Sequence, residues 1–215
     1  MRIVVLGASG RTGREVVAQA RAQGHEVVAV ARATSHVPAD VEVVRVGFDD
    51  AATTEGAMDG AVRGADAVIS ALGPRGRGPT TVCAVGAAAA VAAMTRTGVR
   101  RLVVVSASGL PGEGDDLPTR WLVKPILQRV FRHPYADMAR MEEIVRASGL
   151  DWTIVRPPRL VDGARTDRYR RVLDRHVRGG HHVARADLAA ELLRAAADRE
   201  TVGHLVAIAG PGPDG

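Results

Sequence analysis

The stretch Arg2-Ile3-Val4-Val5-Leu6-Gly7-Ala8-Ser9-Gly10-Arg11-Thr12-Gly13 decides how this chain is read. Arg2 to Leu6 is a short apolar run that reads as a buried strand, and the glycines follow it at once. Arg14 to Arg21 then carries a helical pattern, with Val16, Val17 and Ala20 on one side. Strand, glycine turn and helix in this order form the context of a dinucleotide-binding turn. Gly7 lets the chain leave the strand sharply, Gly10 keeps side-chain atoms away from a pyrophosphate, and Gly13 lets the helix lie close to the sheet. The free N–H groups of the first helical turn and the positive end of the helix dipole then face the phosphates. Gly7, Ser9, Gly10, Arg11, Thr12 and Gly13 are therefore the first candidate cofactor residues; the plain alternative is a tight turn without a ligand. The spacing is Gly-x-x-Gly-x-x-Gly, so the weight rests on context rather than on the triplet alone.

Working outward, Gly24 ends the first helix and His25-Glu26-Val27-Val28-Ala29-Val30 makes a second strand. A third follows over 41–46, a helix over 51–63, and a fourth strand at Asp66-Ala67-Val68-Ile69-Ser70. An alanine-rich helix spans 80–97 before a fifth strand, Arg101-Leu102-Val103-Val104-Val105-Ser106. Helices are expected over 117–131 and 135–147 with a break at His133-Pro134, then a sixth strand over 151–156, a helix over 185–198 and a last strand over 204–209. Strands that alternate with helices and read as continuous apolar runs imply a parallel sheet covered on both faces. The fold class is α/β, a doubly wound parallel sheet of order 3-2-1-4-5-6 with a seventh strand beside the sixth. The chain, 1–215, reads as a single dinucleotide-binding domain with a small substrate cap around 157–184. The glycine- and proline-rich stretch 109–119 is the candidate lid.

Composition narrows the function classes. The chain has 215 residues, 46% of them apolar, enough for one sizeable core. Neither a membrane-spanning apolar run nor a cleavable signal pattern is present, so a cytoplasmic location is expected. Cys83 is the single cysteine, which rules out an internal disulfide. The net charge of +5 raises the question of a nucleic-acid partner. Against it, Lys124 is the only lysine, the arginines are spread along the chain, and aromatics make up only 3%, which leaves few base-stacking platforms. The partner expected is a small-molecule substrate, with no nucleic acid and no membrane. The alanine-rich run 87–93 can pack inside the domain or form a homodimer.

The end of the second strand separates NAD from NADP. An NAD site places Asp or Glu there, about twenty residues past the glycine turn. Here the strand ends Val30-Ala31-Arg32, and Arg32 can pair with a 2′-phosphate. Arg11 can add charge and Ser35 a hydrogen bond, so the cofactor expected is NADP(H). The alternative for Arg32 is a plain surface arginine. Asp49 after the third strand either accepts from the adenine amino group or caps the following helix. Ala71, Leu72 and Gly73 after the fourth strand leave room for the cofactor backbone, and Arg75 and Arg77 in the same loop can reach the pyrophosphate or an anionic substrate.

The glycine turn, Ser70-Ala71-Leu72-Gly73, Val104-Val105-Ser106-Ala107-Ser108-Gly109 and Ser148-Gly149-Leu150-Asp151-Trp152-Thr153-Ile154-Val155-Arg156-Pro157-Pro158 together resemble the atypical short-chain dehydrogenases, with a Rossmann-like fold. The resemblance is to the NAD(P)H-binding proteins similar to biliverdin-IX-beta reductase/flavin reductase, with the NmrA-like regulators as a neighbouring branch. It implies that Arg32 reads the 2′-phosphate and that the nicotinamide lies between the end of the fifth strand and Pro157-Pro158. It also implies a serine beside the nicotinamide; the aligned position holds Ala107, which leaves Ser106 as first choice and Ser108 as second. Where the flavin reductase branch has a substrate-lining histidine, this chain has Arg159, which implies a more anionic or simply different substrate.

The Tyr-x-x-x-Lys pair of ordinary short-chain dehydrogenases, in which the lysine lowers the phenol pKa, is missing. Tyr135 is followed four residues on by Ala139, and Tyr169 by Leu173. Hydride transfer to an acceptor that takes its proton from water remains, with Tyr135 as a wall or hydroxyl and Arg75, Ser108 and Arg159 toward the substrate. The expected function is an NADPH-dependent oxidoreductase of a small conjugated acceptor such as a flavin or quinone. The alternative is an NADP(H)-binding redox sensor of NmrA type. His181 and His182 are adjacent and point to opposite faces of a strand, so no metal site is expected. Arg185 and Asp187 are expected to fix the cap to the main domain.

Overall fold

The computed structural model describes residues 1–37, 41–47, 51–110 and 130–211, the side chains of 51–55 excepted. Its strands are β1 (Arg2–Leu6), β2 (Glu26–Ala31), β3 (Glu42–Arg45), β4 (Ala67–Ser70), β5 (Arg101–Val105), β6 (Asp151–Arg156), β7 (Arg159–Val161), β8 (Arg170–Leu173), β9 (His182–Ala184) and β10 (His204–Ala209). Its helices are α1 (Arg11–Ala22), α2 (Ala51–Val62), α3 (Val82–Thr97), α4 (Arg132–Arg146) and α5 (Arg185–Ala197). The main sheet runs β3-β2-β1-β4-β5-β6-β10-β8. Every pairing in it is parallel except that of β8 with β10. This is the Rossmann-like doubly wound order read from the sequence, with β10 as the seventh strand beside β6.

Strand alternation divides the core in two. Ile3 and Val5 of β1 pack with Val16, Val17 and Ala20 of α1 and with Leu188 and Leu192 of α5. Val4 and Leu6 point the other way, into Met58 of α2, Ala87 and Met94 of α3 and Met141 of α4. Both sets are buried, which explains why the strand reads as an unbroken apolar run. Ala87, Ala90 and Ala93, the inward positions of the alanine run, are packed within the chain against the sheet. None of the described helices is long and apolar enough to cross a membrane.

Two expectations change. The stretch 157–184 contains strands: Arg170–Leu173 pairs antiparallel with β10 and extends the main sheet, and β7 pairs with β9 in a small parallel sheet. The break expected at His133-Pro134 falls at Phe131 instead, between helical Val130 and α4, because Pro134 lies in the first turn of α4, where an N–H has no intrahelical partner to lose. Most of the helix expected over 117–131, and of the lid expected over 109–119, lies outside the described residues.

Two polar anchors hold the frame of the site. Asp137 of α4 is buried and accepts from the backbone N–H of Cys83 and of Ala84, each at 2.9 Å. It thereby supplies the start of α3 with the cap that its own Thr81 does not. Asp187 of α5 accepts from Thr166 N at 2.7 Å, Thr166 Oγ1 at 2.8 Å and Asp167 N at 2.9 Å. With Arg185 on Asp162 at 2.6 Å, it fastens the segment 162–167 to α5.

Candidate functional site

The glycine turn leaves the end of β1 beside the end of β4. Gly7 has φ +75°, and a Cβ there would stand 2.9 Å from the carbonyl oxygen of Ala71. At Gly13 a Cβ would meet the Gly7 carbonyl oxygen at 2.1 Å, so the first turn of α1 touches the chain leaving the strand. Gly10 N donates to Gly7 O at 2.9 Å and closes the turn. The helix that follows has Gly10 as its cap, no side chain on its free N–H groups and no acidic residue in its first turn. Those groups remain open to an anion, with the dipole behind them. Ser9 and Thr12 belong to this turn, and Arg11 reaches out of it to Asp162 at 3.3 Å.

Arg32 follows β2 and is exposed, and its guanidinium takes part in none of the described hydrogen bonds or ion pairs. Ser35 N donates to Arg32 O at 3.0 Å and makes a turn of this segment. A residue the sequence reading missed, Arg45 at the end of β3, holds that turn. Its Nη1 donates to Arg32 O at 2.9 Å and to Ser35 O at 2.7 Å. The only available signal was a long basic side chain on the neighbouring strand end. Asp49 lies outside the described residues.

Beyond the turn, at the carboxyl ends of β4, β5, β6 and β10, lies a cleft of about 740 Å³. Ala107, Ser108, Pro157, Pro158 and Tyr135 form part of its wall, and so do Arg75 and Arg159. Ala71, Leu72 and Gly73 lie on the approach from the glycine turn, with Ala71 N donating to Leu6 O at 2.9 Å. The two candidate serines part company. Ser108 is half-buried in the wall, and its N–H donates to Pro157 O at 3.0 Å. Ser106 is 3% exposed and outside the wall, its hydroxyl donating to Glu142 Oε1 at 2.6 Å. Glu142, itself 2% exposed, also accepts from Arg156 at 2.8 and 2.5 Å and from Arg146 at 2.8 Å. Burial alone would raise the Glu142 carboxyl, but the hydrogen bonds and charges of Arg156, Ser106 and Arg146 outweigh it and hold it below the usual carboxylate range. Ser106 therefore ties β5 to α4 rather than facing a ligand.

Tyr135 stands where α4 meets the cleft. A Cβ on Gly109 would lie 2.2 Å from its hydroxyl oxygen, so a glycine lets the ring in. Burial pushes its phenol up, and among the causes of the shift there is no cation to lower it. It is a protonated hydroxyl near neutral pH, not a base. Phe131 lies 5.9 Å from it, ring centre to ring centre, and the Arg77 guanidinium sits 5.1 Å from the Phe131 ring centre. His176 and Arg178, neither singled out from sequence, and His181, considered there only as a metal ligand, close the far side.

A family model described as NAD(P)H-binding matches residues 7–199. UPF0659 protein YMR090W of Saccharomyces cerevisiae is 28% identical over 165 residues, which is 73% of this chain and 69% of that protein. ChuY, an anaerobillin reductase of Escherichia coli O157:H7, superposes with a TM-score of 0.78 at 24% identity over 98% of each chain. A short-chain dehydrogenase/reductase of Veillonella parvula in complex with NADP gives 0.79 at 20% identity, over 98% of this chain and 95% of that one.

Proposed function

This chain belongs to the NAD(P)H-binding family, and we propose that it is an NADPH-dependent reductase passing hydride to a small conjugated acceptor held in the cleft. The observation that carries this reading is the continuity of one surface, from the glycine turn and Arg32 at one end to Ser108, Tyr135 and Pro157-Pro158 at the other. Ligands in doubly wound sheets lie along that line of strand ends. The residues fit the dinucleotide: two glycines leave no room for a Cβ, a helix start carries no side-chain cap, and the Arg32 guanidinium has no partner among the described residues. NADPH when bound supplies the hydride. The chain's own residues do the rest. Backbone amides of α1 grip the diphosphate, Arg32 pairs with the 2′-phosphate, and the cleft aligns a flat acceptor and excludes bulk water. The described wall holds no Asp or Glu to act as a base, and Tyr135 with its raised pKa can only donate a hydrogen bond. An acceptor that draws its proton from water suits such a wall. The NADP-bound relative and the reductase ChuY support the reading by fold.

The test is NADPH oxidation with a panel of quinones and flavins, with NADH alongside. NADPH-preferring turnover of at least one acceptor is expected. Tight and equal binding of both redox forms with no turnover of any acceptor would replace the reading with a redox sensor of NmrA type.

A further inference from the structure

The cleft wall is one-sided in charge. Arg75, Arg77, Arg159 and Arg178 stand on its rim, all exposed, and the described wall contains no Asp or Glu. None of the four guanidiniums enters an ion pair among the described residues. Nearby arginines behave differently: Arg165 pairs with Asp167, Arg171 with Glu191 and Asp198, and Arg185 with Asp162. Among the described residues, carboxylates are thus supplied where this part of the surface faces solvent or helix, and are missing from the cleft wall. Four like charges without counter-charges among the described residues repel one another, a cost that an anionic ligand would relieve.

The rim charges also fall into two groups. Arg75 and Arg77 follow β4, whereas Arg178 follows β8, beyond β10. Between β4 and β8 lie β5, β6 and β10, so four inter-strand steps separate the groups, roughly 19 Å. The space between is apolar and partly aromatic, with Phe131, Tyr135, Pro157, Pro158 and Ile208 in the wall. One of the cations, Arg77, is already seated on an aromatic face, which holds its guanidinium at the mouth.

We propose that the acceptor is a flat conjugated molecule with an anionic group at each of two opposite ends, one read by Arg75 and Arg77 and the other by Arg178. This rests on the reductase reading and names the class of substrate for that same cleft. Arg159, which follows β6, sits between the two groups and adds to the field over the whole cleft.

The probes are anthraquinone-2,6-disulfonate and anthraquinone-2-sulfonate, which share one ring system and differ by one charge. Binding of each is measured by calorimetry, with and without saturating NADP+, at low and at physiological ionic strength. The disulfonate should bind roughly fivefold tighter or more, about 1 kcal/mol for the second contact, and the advantage should shrink with salt. Arg77→Gln and Arg178→Gln should each erode the disulfonate-to-monosulfonate ratio. Arg140→Gln, an exposed site on α4 outside the cleft, should leave that ratio as it is. Equal affinity for the two probes, binding of neither, or equal erosion by Arg140→Gln would overturn the proposal. A disulfonate preference without NADPH turnover of either quinone or of any acceptor in the quinone and flavin panel would sink the reductase reading and leave the two-ended charge reading standing. Turnover without charge preference would do the reverse.

Discussion

Arg45 holds the backbone of Arg32: its guanidinium donates at 2.9 Å to the Arg32 carbonyl and at 2.7 Å to that of Ser35. One arginine thus shapes the turn that presents another. Arg32→Ala should weaken NADPH binding about tenfold or more, the worth of a charge-assisted phosphate contact, and leave NADH nearly unaffected. Arg45→Gln should lower the same preference by a smaller factor, because the cation at 32 survives while its turn loosens. Fluorescence titration with both cofactors checks this; an unchanged NADPH-to-NADH ratio in Arg32→Ala would refute it.

The frame was readable from sequence because each central strand is buried on both faces and so reads as one apolar run. Ile3 and Val5 serve one layer, Val4 and Leu6 the other. The edge strand Arg170–Leu173 escaped because its polarity is answered from afar, with Arg171 held by Glu191 and Asp198. Ser106 was misjudged for the same reason, since its partner Glu142 lies 36 residues on. Asp137 likewise caps a helix 54 residues away from it in sequence. Local spacing finds turns such as 7–13. It does not find side chains whose roles are set by distant partners, and Arg45 is one of these.

Gly13 is the tightest point of the cofactor turn. A methyl there would sit 2.1 Å from the Gly7 carbonyl oxygen, which is backbone and cannot swing aside. Gly13→Ala should push α1 off β1 and cost about 1–3 kcal/mol as overpacking, with loss of dinucleotide affinity. Gly60→Ala is the control, since an added Cβ there meets nothing within 4 Å. Denaturant melts and NADPH titration of both variants report the difference; equal melts would remove the close-contact argument.

Tyr135 touches Gly109 and the cleft, but its raised pKa takes it out of proton chemistry near neutrality. Tyr135 should therefore add no titration to turnover between about pH 6 and 9, where an unperturbed phenol stays protonated as well. Tyr135→Phe should retain turnover within roughly tenfold, below the 10²–10⁴-fold typical of a lost general acid or base. A larger loss, or a titration in that range that vanishes in Tyr135→Phe, would make the phenol a proton donor or acceptor.

Glu142 carries the pH dependence of stability at the back of the site. Its carboxyl lies below its ordinary 4.5 despite burial, because Arg156, Ser106 and Arg146 favour the ionised form. An acid whose pKa is depressed on folding contributes stability that is fully present above its unfolded value and is lost as pH falls through the folded one. The acid limb below pH 4.5 should therefore steepen through this group. In Glu142→Gln that part of the limb should disappear. The neutral variant should also lose about 3–5 kcal/mol near pH 7, since it takes the Glu142 carboxylate away from buried Arg156. Replacing Ser106 by Ala removes one hydrogen bond of the three-sided grip and should cost less, about 1–3 kcal/mol. Urea unfolding at pH 7 and pH 4 separates the cases: a wild-type stability that falls no faster with acid than that of Glu142→Gln would mean that Glu142 is not held ionised by its arginines.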